Sequence, residues 1–583
     1  MRKLYYAIAF TALIGLPGIG TAAISATAAH AHHQHITVGD NCLAHRDEVQ
    51  LTTLETQSFG SDHAAEHARA RAERCTETSE APQANYLSQA WQPLQAFFNR
   101  AMAQLNRLLI QITVPANAAT GLPAQVGQWS APTSIPVNGI ATVLLPTSKV
   151  LFWTYSPARP VNGGIAYIWN PADGTGRRVD PPNNLWCAGQ ILLGDGRVLV
   201  VGGNLQYGST TTFVKGLNQI YIFNPFSEKW IRQPDMRHGR WYPTVTLLAD
   251  GRAVITSGLT EYGDTTIDTD VEVFTPSADL NGVGTVTLVG VRKINGLYPH
   301  QFLLPTGKML LAGPGVTDSA LLTPGTWTWA LGPRLKQPRY GYGSGVLLPG
   351  TPGGSTKVML IGGASRTGVF ATTETLDTAN LAAGWQFRAP LPQPRRNNNS
   401  VLLPDGTLLT LGGNNSVQNY TNPQYEAVLY NPATNIWTRM ASQVRSRAYH
   451  STAVLLPDAR VISAGDDGPL NGGAMNEIFS PPYLFRGARP VITAAPATVA
   501  WKQSFVISTP SSVTKAVLIA PGATTHGNDM SQRLVPLAIT PTTGGITAVA
   551  PPSANVAPPG YYMLFVLDSQ GVPSVAKWIQ LRR

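Results

Sequence analysis

Along most of this chain, short apolar runs alternate with polar turn residues. A triplet such as Val454-Leu455-Leu456 leads into a turn such as Pro457-Asp458, and a second apolar run follows directly. Apolar runs this short, bounded by Gly, Pro and Asp, predict β-strands joined by tight turns. Seven such units begin at Val143, Ile191, Thr246, Phe302, Val346, Val401 and Val454.

The spacing of these units predicts the architecture. They recur roughly every 45 to 55 residues, which is the length of one four-stranded propeller blade. Most lead into a β-rich run that ends in paired glycines, and a Trp follows late in the unit; the examples are Gly202-Gly203, Gly362-Gly363, Gly412-Gly413, Trp230 and Trp437. This combination is typical of kelch repeats, so residues 125–487 are predicted to form a seven-bladed kelch-type β-propeller. The density of Gly and Pro excludes a helical solenoid.

The turns also define a register. Counting eight residues back from the Asp position of each turn gives Cys187 in the second unit, Tyr242 in the third and His450 in the seventh; the units between them give Tyr298, Tyr342 and Asn397. If the units surround an axis, residues at one register position converge at its centre. A thiol, a phenol and an imidazole in one register predict a metal site there. The adjacent Tyr449 and His450 would lie on opposite faces of a regular strand, so joint ligation requires a bend.

The two ends of the chain differ from the repeating part. Residues 1–31 are predicted to be a cleaved signal peptide, because Arg2 and Lys3 precede an apolar stretch and small residues end at Ala31. Residues 32–124 are predicted to form a small helical region and a linker, since apolar residues recur at helical spacing. Residues 488–583 combine short β runs with Pro-rich turns, which predicts an immunoglobulin-like β-sandwich. The predicted fold class is therefore all-β, apart from the N-terminal region.

The signal peptide predicts a secreted, periplasmic or cell-surface protein. Pro17 and nearby glycines interrupt its apolar stretch, so we expect cleavage and no stable membrane span, although the stretch approaches the length of a short span. Cys42 and Cys75 can form a disulfide in an oxidising compartment, and Cys187 is then the odd thiol. A buried, inert cysteine is the alternative interpretation of Cys187.

Composition narrows the classes of function. With 43% hydrophobic and 13% charged residues, the chain can bury large cores and is not predicted to be disordered. The net charge of +10 comes from scattered Lys and Arg, so we predict no nucleic-acid partner. We also expect a monomer.

Two histidine-rich segments near the N-terminus carry weaker signals. His63 and His67, with Glu66 between them, match the H-x-x-E-H zinc pattern, but nothing downstream supports zinc proteolysis. The cluster of His30, His32, His33 and His35 can capture copper or nickel, although a disordered polar segment is the favoured interpretation.

Several motifs, in order, carry a resemblance to a known family. They are Trp186-Cys187-Ala188-Gly189, Arg240-Trp241-Tyr242-Pro243, Arg447-Ala448-Tyr449-His450-Ser451, and Thr525-His526 followed by Gln532-Arg533 and by Pro558-Pro559-Gly560-Tyr561-Tyr562. From about Gln125 to its C-terminus the chain resembles the copper radical oxidases, the group of galactose oxidase and glyoxal oxidase. The Arg-Trp-Tyr-Pro motif is closer to the glyoxal oxidase branch.

The resemblance implies one copper ion and a cofactor built from the chain itself. His450 and His526 would supply imidazoles to the metal, Tyr242 an equatorial phenolate and Tyr449 an axial phenol that also acts as general base. Two imidazoles with oxygen donors and an open position suit Cu(II). Cys187 would be bonded through sulfur to the Tyr242 ring, and this thioether would stabilise a tyrosyl radical.

The resemblance also implies a difference around the radical and a set of pocket candidates. Galactose oxidase stacks a Trp on the cross-linked tyrosine, and the equivalent position here falls near Thr260, so the shielding of the radical is expected to differ. The candidate pocket residues are Trp241, Tyr298, Tyr342, Arg395 and Asn397.

The sequence thus predicts an exported copper radical oxidase. It would oxidise a small aldehyde or a primary alcohol, including one on a glycan, and reduce dioxygen to hydrogen peroxide. The alternative is a kelch propeller without catalysis that binds carbohydrate or a cell surface. Retention of Cys187 in register with Tyr242 argues against this alternative.

Overall fold

The structure is a computed structural model that describes residues 121–155, 164–206, 215–262, 266–294, 296–315, 317–339, 342–350, 352, 356–468 and 474–582. In this part of the chain the protein is almost entirely β, with seven propeller blades followed by an immunoglobulin-like sandwich, which confirms the predicted fold class. The predicted signal peptide, the helical region, the histidine-rich segments and the Cys42–Cys75 disulfide lie outside the described residues. Among the described residues, no helix has the length and apolar character needed to cross a membrane.

The chain enters the propeller through short elements and then builds the blades in order. The entry comprises α1 (Pro123–Val126), β1 (Gln128–Trp129) and β2 (Thr133–Ser134). The first blade contains β3 (Ala141–Leu144), β4 (Val150–Tyr155), β5 (Gly164–Trp169) and β6 (Gly176–Arg178). The second contains β7 (Gly189–Leu192), β8 (Val198–Val201), the hairpin β9 (Asn204–Gln206) and β10 (Lys215–Gly216), β11 (Ile220–Asn224) and β12 (Lys229–Arg232). The third contains β13 (Thr244–Leu247), β14 (Ala253–Thr256), β15 (Asp270–Thr275) and β16 (Thr285–Val291).

The next four blades repeat this plan. The fourth contains β17 (Gln301–Leu303), β18 (Met309–Ala312), β19 (Ser319–Thr323) and β20 (Thr328–Leu331). The fifth contains β21 (Ser344–Leu348), β22 (Lys357–Ile361), β23 (Thr373–Asp377), a 3-10 helix (Leu381–Ala383) and β24 (Gln386–Arg388). The sixth contains β25 (Arg396–Leu402), β26 (Leu408–Asn414), β27 (Glu426–Asn431) and β28 (Ile436–Ser442). The seventh contains β29 (Ser451–Leu455), β30 (Val461–Gly465) and β31 (Met475–Ser480).

The seventh blade is completed by the start of the chain. Strand β1 pairs antiparallel with β31, with Gln128 opposite Ser480 and Trp129 opposite Phe479. The ring of blades is therefore closed by hydrogen bonds between residues about 350 positions apart, and a closed ring leaves only short, protected sheet edges.

The C-terminal sandwich sends one hairpin back into the propeller. After a 3-10 helix (Pro482–Phe485), its strands are β32 (Thr498–Val499), β33 (Ser504–Ser508), β34 (Lys515–Ala520), β35 (Ala523–Thr525), β36 (Asn528–Asp529), β37 (Arg533–Thr542), β38 (Gly545–Val549), β39 (Gly560–Leu567) and β40 (Lys577–Leu581). Strand β35 pairs with β3, the innermost strand of the first blade, so the β35–β36 hairpin extends that blade into the channel. Val517, Phe565 and Leu567 of the sandwich share one hydrophobic core with propeller residues.

The paired glycines join successive blades. The N–H groups of Gly203, Gly363 and Gly413 donate to the carbonyls of Arg240, Arg395 and Arg447, each in the following blade, at 2.9, 2.8 and 2.6 Å. A Cβ at the preceding Gly202 would lie 2.2 Å from the Arg240 oxygen, so only glycine fits there. These hydrogen bonds hold the backbone two residues before Tyr242 and Asn397 and three residues before His450.

Candidate metal centre

The register residues share an unusual backbone conformation. Cys187, Tyr242, Tyr298, Asn397 and His450 have φ values of 60°, 66°, 47°, 56° and 63°. This left-handed region is unfavourable for residues other than glycine, and it is often occupied at functional sites. Four of these residues lie one to three positions before the start of an innermost strand, and Asn397 is the second residue of β25.

Backbone hydrogen bonds link register residues around the channel. The N–H of Tyr242 donates to the Cys187 carbonyl at 3.0 Å, and the N–H of Tyr298 donates to the Tyr242 carbonyl at 2.9 Å. Further round, Asn397 donates to the Tyr342 carbonyl at 2.5 Å. Residues separated by some 50 positions in sequence are therefore direct neighbours in space, as the register predicts.

Buried ion pairs hold the segments that precede the site residues. Arg240 lies 2.8 Å from both Asp268 and Glu272, and Arg447 lies 3.4 Å from Glu477. Burial raises the pKa of Asp268 and Glu477, and the neighbouring guanidinium opposes this rise in each case. Because loss of one partner would leave a buried charge without compensation, these pairs restrict the backbone next to Tyr242 and Tyr449.

His526 lies at the tip of the β35–β36 hairpin. His526 and Gly527 both have positive φ, 52° and 74°, which is the geometry of a two-residue turn that matches the twist of a hairpin. The Thr525 hydroxyl donates to the Ile140 carbonyl at 2.9 Å and lies 2.7 Å from His526 Nδ1. Since the hydroxyl proton is already used, Nδ1–H donates to Thr525 and Nε2 is directed into the centre.

Two tyrosines, two histidines and Cys187 meet at one buried point. His526 Nε2 lies 2.8 Å from the Tyr242 hydroxyl and 3.8 Å from Cys187 Sγ. The hydroxyls of Tyr242 and Tyr449 are hydrogen-bonded to each other. Ligand atoms of Cys187, His450 and His526 all lie within 4.8 Å of one another, and the five side chains are at most 2% exposed.

Tyr449 and His450 both reach this point because the chain bends there. They form a turn directly before β29, and His450 is in the left-handed conformation. Their rings stack with centroids 4.0 Å apart at 25°, so the two side chains lie side by side and not on opposite faces. The bend that joint ligation requires is therefore present.

Trp241 covers the ring of Tyr242. The two centroids are 3.6 Å apart and the ring planes differ by 12°. Tyr298 also stacks on Tyr242, at 4.5 Å and 24°. Two parallel rings cannot share one face at these distances, so Tyr242 has an aromatic partner on each side. The described shielding ring comes from the residue next to Tyr242. Near Thr260, Glu261 binds His238 and the N–H of Gly239, and the ring of Tyr262 lies against that of His238.

The other pocket candidates divide into two groups. Tyr342 lies in the same aromatic cluster as Tyr242 and Tyr298. Arg395 and Asn397 make side-chain contacts within their own blade: Arg395 donates to the Gly412 carbonyl at 3.2 Å, and Asn397 donates to the Asn414 side chain at 2.9 Å. For all five candidates, Trp241 and Tyr298 included, a role in the substrate pocket stays a prediction.

Sequence reasoning missed residues that support the site. Asp467 Oδ2 lies 3.0 Å from His450 Nδ1, and Asp467 also accepts hydrogen bonds from Tyr155 and Tyr420. No spacing rule identifies Asp467, because it follows β30 and is unrelated to the turn register.

Comparisons with known proteins agree with this geometry. Residues 168–472 match the family described as "Glyoxal oxidase N-terminus", and residues 489–581 match "Galactose oxidase-like, Early set domain". Galactose oxidase of Gibberella zeae is 29% identical over 514 residues, covering 80% of this chain and 72% of the relative. Aldehyde oxidase GLOX of Vitis pseudoreticulata is 29% identical over 449 residues, covering 68% of this chain and 82% of the relative.

A solved structure supports the fold. It is described as a novel fungal alcohol oxidase of the AA5 family in complex with copper, and it superposes with a TM-score of 0.67 over 79% of this chain and 100% of its own. At 24% identity this similarity concerns the fold alone.

Proposed function

The chain belongs to the glyoxal oxidase family of copper radical oxidases, and from this membership and the geometry of its buried centre we propose that it is an exported oxidase of small aldehydes or primary alcohols. Dioxygen is the proposed acceptor and hydrogen peroxide the second product. The observation that carries the proposal is the convergence of Cys187, Tyr242, Tyr449, His450 and His526 on one buried point.

The donor set fits copper. Tyr242, Tyr449, His450 and His526 would hold the ion, with two imidazole nitrogens and two phenol oxygens. Nitrogen and oxygen donors in this number suit the tetragonal geometry of Cu(II), whereas a structural zinc site would be closed by four tetrahedral ligands. When bound, copper supplies one electron of oxidising capacity.

The second electron of oxidising capacity would come from a radical on Tyr242, which accepts an electron from the substrate. We propose that Cys187 Sγ is bonded to its ring, with dioxygen accepting the thiol hydrogen and the ring hydrogen that are lost, because the two residues are direct backbone neighbours in the same buried cluster. A sulfur substituent lowers the oxidation potential of a phenol, so Tyr242 can be held as a radical. Trp241 and Tyr298 cover the ring and would exclude water from it.

The reaction that follows is a two-electron oxidation. A primary alcohol loses its hydroxyl proton, a hydrogen atom from the adjacent carbon and one further electron, for which bound copper would supply the oxidising capacity. Dioxygen gains two electrons and two protons to form hydrogen peroxide. Tyr449 is the proposed general base for the hydroxyl proton, since its own hydroxyl is hydrogen-bonded to that of Tyr242. Tyr242 would then take the hydrogen from carbon. A hydrated aldehyde offers the same hydroxyl and the same carbon-bound hydrogen.

The substrate class is supported by the relatives and by the site. Both an aldehyde oxidase and a galactose oxidase are similar to this chain over most of its length. The centre is surrounded by buried aromatic rings, which favours a small substrate or a chain-terminal alcohol. The difference from galactose oxidase at Thr260 argues against galactose itself.

A peptide mass map of copper-treated protein tests the proposal. After cleavage at Lys and Arg, Val179–Arg197 carries Cys187 and Trp241–Arg252 carries Tyr242. We expect one covalent species, lighter than the sum of the two peptides by about two hydrogens, and two separate peptides in a Cys187→Ser control. The same digest should begin at His32 if the signal peptide is removed on export.

Separate peptides after aerobic copper loading of the unaltered protein would contradict the proposal. The radical cofactor would then be absent, and a kelch propeller that binds carbohydrate would become the better interpretation.

A further inference from the structure

We propose that Asp467 is a positioning residue of the copper site, which holds His450 through Nδ1 so that Nε2 faces the metal. The inference rests on the proposed function and deepens it. Asp467 Oδ2 lies 3.0 Å from His450 Nδ1; the His450 side chain is fully buried and that of Asp467 is 12% exposed. A carboxylate only accepts hydrogen bonds, so Nδ1 carries the proton and the Nε2 lone pair is the one available for a metal.

The carboxylate of Asp467 is itself fixed by two hydroxyl groups. Tyr420 donates to Oδ1 at 2.5 Å and Tyr155 donates to Oδ2 at 3.3 Å. Tyr155 belongs to the first blade, Tyr420 lies in the sixth and Asp467 follows β30 of the seventh. Three successive blades around the ring thus hold one carboxylate, which restricts its rotamer and hence the plane of the His450 ring.

The preceding residue holds the backbone in place. Asp466 accepts hydrogen bonds from the N–H of Ala448 at 2.7 Å and from the N–H of Gly468 at 2.8 Å, and its own N–H donates to the His450 carbonyl at 3.1 Å. The segment that carries Tyr449 and His450 is therefore tied to the segment that carries Asp467. Asp466 fixes the distance between the two segments, and Asp467 fixes the ring.

The two histidines of the site are held by different groups. His526 Nδ1 donates to the neutral hydroxyl of Thr525, whereas His450 Nδ1 donates to a carboxylate. A carboxylate partner makes an imidazole a stronger donor to a metal and places negative charge near the ion. His450 should therefore be the stronger of the two imidazole ligands, and Asp467 should favour Cu(II) over Cu(I).

Copper binding to Asp467→Asn and Asp467→Ala tests the role. Cu(II) affinity is measured by competition with a chelator, and the Cu(II) environment by electron paramagnetic resonance. We expect affinity to fall about 10- to 100-fold with altered copper hyperfine splitting, since loss of such a partner has effects of this size. Tyr420→Phe should give a smaller loss in the same direction, because it frees the carboxylate without removing it.

Asp458→Asn is the matched control. Asp458 is in the same blade and accepts a hydrogen bond from the N–H of Arg460 in a turn, where Asn can replace it. Its affinity and spectrum should equal those of the unaltered protein. Thermal unfolding identifies variants that do not fold, and Asp467→Asn, which keeps the shape of the side chain, decides the question if Asp467→Ala unfolds.

Two negative outcomes are distinguishable. If the unaltered protein binds Cu(II) with nitrogen hyperfine coupling and the Asp467 variants match it in affinity and spectrum, the role of Asp467 is wrong and the proposed function stands. If the unaltered protein binds no copper at this centre, the proposed function fails and the inference fails with it.

Discussion

Tyr242 is in contact on all sides with residues that have separate tasks. Its backbone is hydrogen-bonded to those of Cys187 and Tyr298. Its hydroxyl is hydrogen-bonded to that of Tyr449 and lies 2.8 Å from His526 Nε2, and its ring is covered by Trp241. A phenol in this setting is fully removed from water. The stacked indole is the contact with the most direct effect on a radical, because it is nearest to the ring that would carry the unpaired electron.

At the residue scale, we predict that Trp241 stabilises the radical without affecting the copper ligands. Stacked aromatic pairs contribute about 0.5–1.5 kcal/mol beyond buried area, which corresponds to about 2- to 12-fold in an equilibrium. Trp241→Ala should therefore shorten the lifetime of the tyrosyl radical by about this factor, whereas Trp241→Phe should keep most of it. Decay of the radical absorption and paramagnetic signal measures the effect.

Two controls accompany this comparison. Cu(II) affinity and the cross-linked peptide should be unchanged in both variants, since Trp241 supplies no ligand atom. Equal radical lifetimes in Trp241→Ala and in the unaltered protein would contradict the prediction.

At the scale of elements, the β35–β36 hairpin determines whether the proposed copper site is complete. It is the sole element of the described sandwich that supplies a candidate ligand, and it does so through a turn of two residues. Gly527 is the second of these. Its φ of 74° favours glycine, and an added Cβ would lie 2.6 Å from the carbonyl oxygen of Asn398 in the sixth blade. A side chain at position 527 would therefore push the hairpin tip away from the sixth blade.

Gly527→Ala should consequently weaken copper binding although it changes no ligand. We expect at least a tenfold loss of Cu(II) affinity, because relief of the contact with Asn398 displaces His526. Gly544→Ala is the matched control: this turn glycine of the same sandwich has a φ of 75°, and nothing lies within 4 Å of its added Cβ. Both variants should lose about 1 kcal/mol of stability from the backbone strain. An equal effect of the two on copper affinity would show that the contact is unimportant.

At the scale of the whole molecule, the site depends on closure of the ring. His450 and Tyr449 precede the seventh blade, and the outermost strand of that blade is β1 from the other end of the chain. Trp129 anchors this short strand: its Nε1–H donates to the Ala441 carbonyl at 2.9 Å, and its ring lies 5.0 Å from that of Phe479.

We predict that Trp129→Ala opens the ring more readily than an equivalent change inside a blade. Trp437 is the matched control, since its Nε1–H donates to the Ala389 carbonyl at 2.9 Å and its ring lies 4.8 Å from that of Tyr430. Each substitution should cost about 2–3 kcal/mol, below the value for a fully buried Trp. Only Trp129→Ala should also expose residues near the entry of the propeller to protease, because β1 has two residues and β28 has seven.

Equal rates of proteolysis in the two variants, with equal unfolding temperatures, would contradict this view of ring closure. Limited proteolysis followed by mass measurement locates the cleavage sites and separates opening at β1 from general unfolding.

The sequence by itself determined the blades and the register of the site. The apolar triplets, the turns and the paired glycines are local signals. Each blade repeats them because each has the same kind of strands, turns and contacts with its neighbouring blades. Cys187, Tyr242 and His450 could therefore be placed in one register from spacing alone. Tyr449 and His526 required the resemblance to a family, because they lie outside that register.

Only the tertiary structure decided how these residues meet. The bend at Tyr449 and His450, the stack of Trp241 on Tyr242 and the carboxylate of Asp467 beside His450 each depend on contacts between segments far apart in sequence. Local patterns repeat from blade to blade and can be recognised in the sequence. The orientation of a side chain at the centre depends instead on its contacts with other blades and with the β35–β36 hairpin. The physical reason is that strand formation is governed by near neighbours in sequence, while the chemistry at the axis is governed by neighbours in space.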